Sequence, residues 1–373
     1  MTNHVSALPQ RAARFLADHA RDLTSRRAVV GLDGFVDEII SVVDKRESAD
    51  KFTRVPTLAA MGQRISAAAG QSTNLELVVA RVKLGGNGPI MANALAALTV
   101  QVTYLGNLGY PTLHPIFQEL ADRATVYSIA EPARTDALEF DDGKIMLGKH
   151  ASLRDVTWAN LLARVGRDKL TAAFRDADLV GLQNWTMLPH MSDIWEHVLS
   201  ELCPALPAQP RRPFFFDLAD PEKRDAKDIA HALKLISKFQ KYFDVQLGLN
   251  EKESFAIGEV LGYGGPYEGE EAVRAVARFI HTKLKTSGVV VHPRAYAVAA
   301  SAAGVVNATG PFVERPLIST GAGDHFNAGF CLGKLLGADD EVALQLGVGT
   351  SGYYVRTAKS PAPLELAEFL KGL

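Results

Sequence analysis

From residue 178 onward, the chain alternates short apolar segments with longer amphipathic segments, and this alternation constrains the fold more than any other feature. The apolar segments predict strands at residues 178–183, 213–218, 245–249 and 289–291. The amphipathic segments predict helices at residues 192–203, 228–242, 270–283 and 340–353. The runs Phe214-Phe-Phe216 and Val289-Val-Val291 are apolar throughout, which suits strands buried on both faces. The spacing therefore predicts an α/β fold, with a mostly parallel central sheet flanked by helices on both faces.

The first half of the chain follows this alternation less regularly. A helix, a strand, a second helix and a second strand are predicted at residues 8–23, 28–32, 90–98 and 102–105. Between and after them, a helix-like stretch, an alternating strand and a β-hairpin are predicted at residues 56–69, 75–84 and 135–147. We therefore predict a main domain of residues 1–37, 85–109 and 151–373, and a small β-containing lid of residues 38–84 and 110–150.

Charge and cysteine content exclude several classes of partner. Lys and Arg number 40 against 42 Asp and Glu, for a formal charge of -2, so we expect no nucleic-acid partner and no anionic membrane surface. The 2 cysteines cannot form a disulfide framework, and we expect reduced thiols. The sequence has no apolar run of membrane length and no signal-peptide core near its start, which predicts a cytoplasmic location.

The sharpest chemical signal is the segment Ser319-Thr-Gly-Ala-Gly-Asp-His-Phe-Asn-Ala-Gly-Phe330. Gly321 and Gly323 allow close approach to the start of a predicted helix, where several backbone N–H groups can point at one anion. Asp324 follows in the first turn. A carboxylate there would repel a phosphate that was merely bound, but it can accept the proton of a hydroxyl that attacks a phosphoryl group. The alternative is that Asp324 only stabilises the helix through its dipole.

Other motifs do not support a competing site. The Walker A pattern is absent, and Gly86-x-Gly88 lacks the third spaced glycine of a dinucleotide fingerprint. His and Cys residues are too scattered for a zinc site, and there is no Gly-x-Ser-x-Gly elbow of a hydrolase. Two hypotheses therefore remain for Asp324: a phosphoryl-transfer site, and stabilisation of the helix alone.

The sequence resembles the ribokinase (PfkB-type) family of carbohydrate kinases over roughly residues 28–370. Gly321-Ala-Gly-Asp324 with the following His-Phe-Asn-Ala-Gly is similar to the family's C-terminal signature. Further similar segments occur in the family's order. They are Val29 to Asp37, read as a first strand that ends in a sugar-binding aspartate; Gly85-Gly-Asn-Gly88 with Asn93 beyond it; Asp220-Pro-Glu-Lys-Arg224; and Asn250-Glu-Lys-Glu253.

The resemblance implies a ribokinase-like fold and an ATP-dependent transfer of the γ-phosphoryl group to a hydroxyl, in particular a hydroxymethyl group, of a sugar or sugar derivative. Asp324 would be the general base, and the anion hole would consist of Gly321, Ala322 and Gly323. Mg²⁺ would be held, through water, by Asn250 and Glu253. The nucleotide would be bound by Asn250, Glu253, Thr320 and Asn327. The substrate would be bound by Asp33, Asp37, Gly85, Gly86, Asn87 and Asn93.

Two assignments stay open at the level of the sequence. Asp33 directly follows the first predicted strand and rivals Asp37 as the sugar ligand, although Asp33 with Gly34 could also form a plain turn. Asn250 and Glu253 also match a helix N-cap followed three residues later by glutamate.

Several segments differ from the family pattern, and these differences keep other functions open. Ile318-Ser-Thr320 replaces a run that usually contains aspartate, so activation by a monovalent cation is open. His292 and Arg294 either contact the nucleotide or satisfy local backbone groups. Trp185, if stacked on a base, would favour a nucleoside or vitamin-precursor kinase. Ile318 and the altered turn at 292–296 would suit a ligand-binding regulator without turnover.

Two further expectations concern the lid. The basic residues around the predicted hairpin either form a solvated loop or recognise a phosphate or carboxylate on the substrate; they are Arg134, Lys149, His150 and Arg154. By analogy with family members, exposed lid strands would pair two copies of the chain in a homodimer.

Overall fold

A computed structural model describes residues 7–207 and 210–373. Its strands are β1 (Arg27–Leu32), β2 (Phe35–Arg46), β3 (Phe52–Arg54), β4 (Leu77–Gly85), β5 (Gln101–Gly106), β6 (Thr125–Ser128), β7 (Ala133–Phe140), β8 (Gly143–Lys149), β9 (Leu179–Gln183), β10 (Pro213–Asp217), β11 (Asp244–Leu249), β12 (Gly288–Val291), β13 (Tyr296–Ser301) and β14 (Gly304–Thr309). Its α-helices are α1 (Ala7–His19), α2 (Leu58–Ala67), α3 (Asn87–Ala97), α4 (Gln118–Ala121), α5 (Trp158–Arg164), α6 (Arg167–Asp176), α7 (Met191–His197), α8 (Ala226–Phe239), α9 (Glu251–Val260), α10 (Glu270–Leu284), α11 (Ala322–Leu335), α12 (Asp340–Thr357) and α13 (Pro363–Lys371).

Within the described residues, nine strands form one large sheet in the order β14-β13-β12-β11-β10-β9-β1-β5-β6. The strands from β12 to β6 are parallel, and β13 and β14 are antiparallel. Successive side chains of β10 enter opposite cores: Phe214 and Phe216 pack with α5 to α8 and α10, whereas Phe215 packs with α1, α3 and α11 to α13. Since both faces are covered, the predicted α/β architecture is confirmed.

A second, five-stranded sheet of described residues is formed by β2, β3, β4, β7 and β8, and we call it the lid sheet. β2 pairs antiparallel with β4 and parallel with β7, and the predicted hairpin is present as β7 and β8. The helix-like stretch at 56–69 forms α2, whose Met61 packs with Val42, Leu138 and Phe140. α2 therefore gives the lid sheet a small core of its own.

Three features differ from the sequence-based expectation. β1 ends at Leu32, so Asp37 lies on the lid strand β2 and does not end the first strand. Thr125–Ser128, expected in the lid, pairs with β5 in the large sheet, because the short helix α4 returns the chain beside that strand. The hairpin of β13 and β14 was not predicted. It extends the large sheet beyond β12.

The sequence leads us to expect no membrane-spanning segment, and the described helices can be compared with that expectation. None of the helices in residues 7–207 and 210–373 is both long and apolar enough to cross a membrane. Residues 1–6, which belong to the stretch where no signal-peptide core is expected, lie outside the described residues.

Candidate active site

Several strands of the large sheet end in polar residues beneath the lid sheet, and these residues line a cavity of about 460 Å³. The C-terminal ends of parallel strands are the usual position for a ligand site in an open α/β sheet. From the lid sheet and the loop that follows it, the cavity is lined by Phe35, Asp37, Thr135, Met146, Gly148 and His150. From the main domain, its lining includes Gly86, Asn87, Asn184, Met187, Asp217, Asp220, Lys223, Asn250, Glu253, His292, Gly321, Gly323 and Asp324.

The N-terminus of α11 carries the predicted glycines and Asp324 to this cavity. Gly321 is the N-cap residue, with a φ of 91° that favours glycine. A Cβ on Gly323 would lie 3.3 Å from Cε1 of His292, so the turn passes close to β12. Asp324 does not cap the helix. Its Oδ1 accepts a hydrogen bond of 2.9 Å from Nδ2 of Asn87, so the carboxylate faces α3.

Asp324 is buried, and its surroundings favour the protonated form. Burial, followed by the negative charges of Asp217 and Asp33, raises the pKa of Asp324 well above the usual range. The Asn87 hydrogen bond and the positive charge of Lys83 act in the opposite direction. A carboxylate with a raised pKa is a better proton acceptor than an ordinary one.

Asp33 is fully buried and its carboxylate is already occupied by three donors. Its oxygens accept hydrogen bonds from the backbone N–H of Asn87 at 3.0 Å and of Gly88 at 2.8 Å, and from Nδ2 of Asn184 at 2.7 Å. Burial raises the pKa of Asp33 to about 6. Asp33 is not among the residues that line the cavity. It therefore holds the start of α3, and with it the Asn87 side chain that contacts Asp324.

Asp37 occupies the lid side of the cavity. In the lid sheet it lies opposite Lys83 of β4 and beside Thr135 of β7. A Cβ on Gly85 would lie 2.4 Å from Oδ2 of Asp37, so the carboxylate packs directly over this glycine. Burial raises the pKa of Asp37, and the opposing effects of Lys83 and Thr135 reduce the shift. Of the two rival aspartates, only Asp37 lines the cavity.

Asn250 and Glu253 form the capping box at the start of α9 that their spacing predicts. Oδ1 of Asn250 accepts from the Glu253 N–H at 2.9 Å, and Oε2 of Glu253 accepts from the Asn250 N–H at 2.8 Å. Oε1 of Glu253 also accepts from the Asp220 N–H at 2.9 Å. Both residues nevertheless line the cavity, so the cap and a role in the site coexist.

Negative charge accumulates around Glu253. Burial, followed by the charge of Asp217, raises the pKa of Glu253 to about 7, and burial raises the pKa of Asp217 to about 6. In the described part of the chain, no three His, Cys, Asp or Glu side chains are grouped so that they could hold a metal directly. Mg²⁺ retains several waters and is usually shared with substrate phosphates, and a cation would relieve the repulsion between these carboxylates. The residues present therefore fit a magnesium ion held through water.

A second cavity of about 360 Å³ adjoins the first and shares Asn250, His292 and Gly323 with it. Its walls are largely apolar and aromatic, and they include Tyr296, Pro311, Phe312, Phe326, Val348 and Val355. Ala322 and Arg294 also line it. Burial lowers the pKa of His292 to about 4, so this histidine is neutral. A cavity with aromatic and apolar wall residues beside the N-terminus of α11 suits the base of a nucleotide whose phosphates reach that helix.

Besides Asp33, the predicted substrate residue Gly85 lines neither cavity, because it lies under the Asp37 carboxylate. Four further residues considered for the site also lie elsewhere. Asn93 contacts Glu119 and Arg123 at the surface and is not in the lining of either cavity, because it lies two turns along α3 from the site. Asn327 is fully buried, and its Nδ2 donates to Asp217 at 2.7 Å, so it supports Asp217 instead of contacting nucleotide. Thr320 lines neither cavity and contacts Lys144 of the lid sheet. Trp185 is buried under Arg224 and donates to Ser192, so it cannot stack on a ligand.

The basic residues near the hairpin are largely neutralised. Lys149 is paired with Asp136 at 2.7 Å, and Arg134 with Glu38 at 3.7 Å. Only His150 of this group lines the cavity, and burial followed by the charge of Lys223 lowers its pKa. Arg134, Lys149 and Arg154 line neither cavity, so this group places no arginine or lysine in the described cavities, where a phosphate or carboxylate on the substrate would lie.

Several lining residues were not predicted from the sequence. Asn184 directly follows β9 and has a φ of 59°, an uncommon conformation for a residue other than glycine. Its position after a buried strand was a signal that could have identified it. Phe35, Met146 and Met187 form apolar parts of the wall, and nothing in their local sequence distinguishes them from core residues.

Comparison with known proteins agrees with this geometry. The sequence model of the prokaryotic ketohexokinase family matches residues 10–373. A ketohexokinase of Haloferax volcanii is 31% identical over 348 residues, which are 93% of this chain and 91% of the relative.

Among solved structures, Arabidopsis thaliana ribokinase complexed with ribose and ATP has a TM-score of 0.62 at 17% identity, covering 93% of this chain and 98% of that chain. Phosphofructokinase-2 from Escherichia coli, in complex with substrates and products, has a TM-score of 0.63 at 13% identity, with coverage of 93% and 99%. These two structures show that the expected ribokinase-like fold is present.

The fold, the site and the relatives together define an ATP-dependent carbohydrate kinase of the ribokinase type. Within that class, the chain belongs to the prokaryotic ketohexokinase family. The alternative of a regulator without turnover is therefore wrong.

Proposed function

We propose that this kinase transfers the γ-phosphoryl group of ATP to a hydroxymethyl group of an uncharged ketohexose, with Asp324 as the general base. The observation that carries the proposal is the position of Asp324 in the first turn of α11, hydrogen-bonded to Asn87, in a cavity that Asp37 also lines. The sugar occupies the 460 Å³ cavity, and the nucleotide base occupies the adjoining cavity.

The lining of the larger cavity supports an uncharged polyol as the acceptor. Asp37 can accept hydrogen bonds from two hydroxyl groups at once, and Phe35, Met146 and Met187 offer apolar surface to the carbon skeleton. Lys149 and Arg134 are engaged by acidic residues, so they do not select for an anionic sugar. Because Trp185 is buried, the feature that favoured a nucleoside is lost. The name of the Haloferax volcanii relative agrees with a ketohexose.

In the proposed reaction, the hydroxymethyl oxygen forms a bond to the γ-phosphorus and the bond from phosphorus to the bridging oxygen of ADP breaks. The hydroxyl proton passes to Asp324. The Ala322 N–H already donates to the Ser319 carbonyl at 3.2 Å, so the N–H groups of Gly323 and Asp324 at the start of α11 bind the negative charge of the group in transfer. Asn250 and Glu253 would hold Mg²⁺ through water, and this ion would neutralise charge on the phosphates. The lid sheet excludes water, which would otherwise compete as the acceptor.

Substrate selection tests the proposal directly. ADP release is measured with ATP and Mg²⁺ over a panel of ketohexoses, aldohexoses, sugar phosphates, sugar acids and nucleosides. We expect turnover with a ketohexose and formation of a phosphate monoester on its hydroxymethyl group. Preference for a sugar phosphate, a sugar acid or a nucleoside would overturn the assignment of the acceptor.

The pH dependence of turnover tests the assignment of the base. Asp324 acts only when ionised, and burial with the charges of Asp217 and Asp33 raises its pKa. Turnover must fall as the pH drops through this raised pKa, so the acidic limb of the kcat profile lies above the ordinary aspartate value of about 4. Asp217→Asn removes one repelling charge and is expected to move the limb to lower pH. Both profiles are measured at saturating substrates. If the acidic limb lies at the same pH in the wild type and in Asp217→Asn, the assignment of Asp324 as the base is contradicted.

We also propose that two copies of the chain pair through the lid sheet. Its strands β4 and β8 carry exposed apolar side chains outside the cavity, namely Leu77, Val79, Val82 and Leu147. Apolar groups clustered on one exposed sheet are typical of a contact surface. Sedimentation velocity is expected to show a dimer that Val79→Asp dissociates.

A further inference from the structure

Lys83 of the lid sheet lies against the site but has no part in the reaction described above. It is directly opposite Asp37 in the antiparallel pair of β4 and β2. Opposed residues of such a pair project from the same face of the sheet, with Cβ atoms about 5 Å apart. Since Asp37 lines the cavity, the Lys83 side chain projects from the cavity face of the lid sheet, next to Asp37 but outside the lining itself. Its half-buried ammonium group interacts electrostatically with both Asp37 and Asp324.

Lys144 approaches the site from the neighbouring part of the lid sheet. Its Nζ donates a hydrogen bond of 2.5 Å to Oγ1 of Thr320. Thr320 directly precedes Gly321, the N-cap residue of α11. Lys144 also interacts electrostatically with Asp37 and Lys83. The lid sheet therefore brings one ammonium group beside Asp37 and one beside the start of α11.

The charge of the cavity explains why these lysines matter. Its lining includes the carboxylates of Asp37, Asp217, Asp220, Glu253 and Asp324. The lining lysine, Lys223, is paired with Asp220 at 2.9 Å. The lining histidines, His150 and His292, have lowered pKa values and are neutral at pH 7. A phosphoryl group in transfer would thus meet mainly negative charge from the side chains of the main domain.

We propose that Lys83 and Lys144 are catalytic residues whose ammonium groups contact the oxygens of the phosphoryl group during its transfer. This inference rests on the proposed function, and the bonds that form and break are those given above, with the proton passing to Asp324. Lys83 contacts the group from the sugar side, and Lys144 contacts it from the side of Thr320. Two fixed positive charges aimed at the developing charge act strongly in a site from which water is excluded.

The placement of both lysines on the lid sheet has a consequence for ATP hydrolysis. The main domain alone binds nucleotide without the two ammonium groups. The positive charge around the phosphoryl group is complete only when the lid sheet lies against the start of α11, as it does where Lys144 contacts Thr320. The enzyme therefore gains its full activity when the sugar has replaced water.

The test compares Lys83→Gln and Lys144→Gln with Lys149→Gln. Lys149 is a matched control, because it lies on β8 with Lys144 but is paired with Asp136 of the lid sheet, whereas Lys144 contacts Thr320 beside α11. We expect kcat to fall about 100-fold in each of the first two variants, the usual effect of losing one stabilising group. Lys149→Gln is expected to stay within about twofold of the wild type. Melting temperatures establish that each variant is folded.

A second measurement separates contact with the phosphoryl group from a structural effect. ADP with Mg²⁺ and fluoroaluminate imitates the group in transfer, and its inhibition constant is measured in the presence of the sugar. We expect Lys83→Gln and Lys144→Gln to weaken this inhibition at least tenfold, while the affinity for ADP alone changes less than threefold. If the wild-type enzyme is active and both variants keep its kcat and its inhibition constant, the role of the two lysines is overturned and the proposed function stands. An inactive wild-type enzyme would overturn the proposed function instead.

Discussion

Asp324→Asn is expected to reduce kcat by about 10²- to 10⁴-fold, because asparagine cannot accept the proton of the attacking hydroxyl. Asparagine has nearly the same shape, and its side-chain oxygen can still accept the hydrogen bond from Asn87. The N–H groups at the start of α11 are unchanged, so the affinity for ATP should stay within about threefold. Burial raises the pKa of Asp324, so removing its charge should not destabilise the fold.

Single-turnover ADP release, ATP binding by calorimetry and a melting curve check these expectations together. The Lys149→Gln variant is a suitable control for protein quality, since Lys149 lies outside both cavities. Activity of Asp324→Asn within about fivefold of the wild type would remove Asp324 from the role of base. Loss of ATP binding along with activity would show that the residue shapes the nucleotide site.

Asp33→Ala is expected to lower the free energy of unfolding by about 3 kcal/mol, because three buried donors lose their acceptor. These donors are the N–H groups of Asn87 and Gly88 and the Nδ2 of Asn184. The start of α3 would move, and Asn87 would no longer hold Asp324 in place. We therefore expect a fall in kcat as well as a lower melting temperature.

Asp37→Asn is the matched comparison, because Asp37 also carries a buried carboxylate near the same turn. Burial raises its pKa, so loss of the charge should leave the melting temperature nearly unchanged. We expect the KM for the sugar to rise about 10- to 100-fold, since hydrogen bonds to a charged acceptor contribute about 1.5–3 kcal/mol each. The reverse pattern would exchange the two roles: a stable Asp33→Ala with weak sugar binding and an unstable Asp37→Asn.

Most of the fold could be predicted from the sequence because its signals are local. Strand β10 contains three consecutive phenylalanines, and the structure buries Phe214 and Phe215 in opposite cores. The start of α11 was equally predictable, because Gly321 and Asp324 act within one turn of helix. Strand β2 was missed, because the acidic residues Asp37 and Glu38 interrupt its apolar pattern.

The site was predicted where its residues belong to one local motif and missed where they meet through the fold. Asn250 and Glu253 were found because a capping box is encoded by spacing. The prediction that Asn93 binds the substrate was wrong, because its position along α3 turns its side chain toward Glu119. Asn184 and Lys144 reach the site from distant strands, and no local pattern reports such contacts.

The sequence by itself determined the alternation of strands and helices, the glycine turn that opens α11 and the presence of a carboxylate there. It did so because hydrophobic period and helix capping depend on residues a few positions apart. Only the tertiary structure decided that Asp33 supports α3 while Asp37 faces the cavity, because that choice depends on where β1 ends and the lid sheet begins. The raised pKa of Asp324 was also decided there, since it comes from burial and from Asp217 and Asp33, which other strands and loops bring close to it.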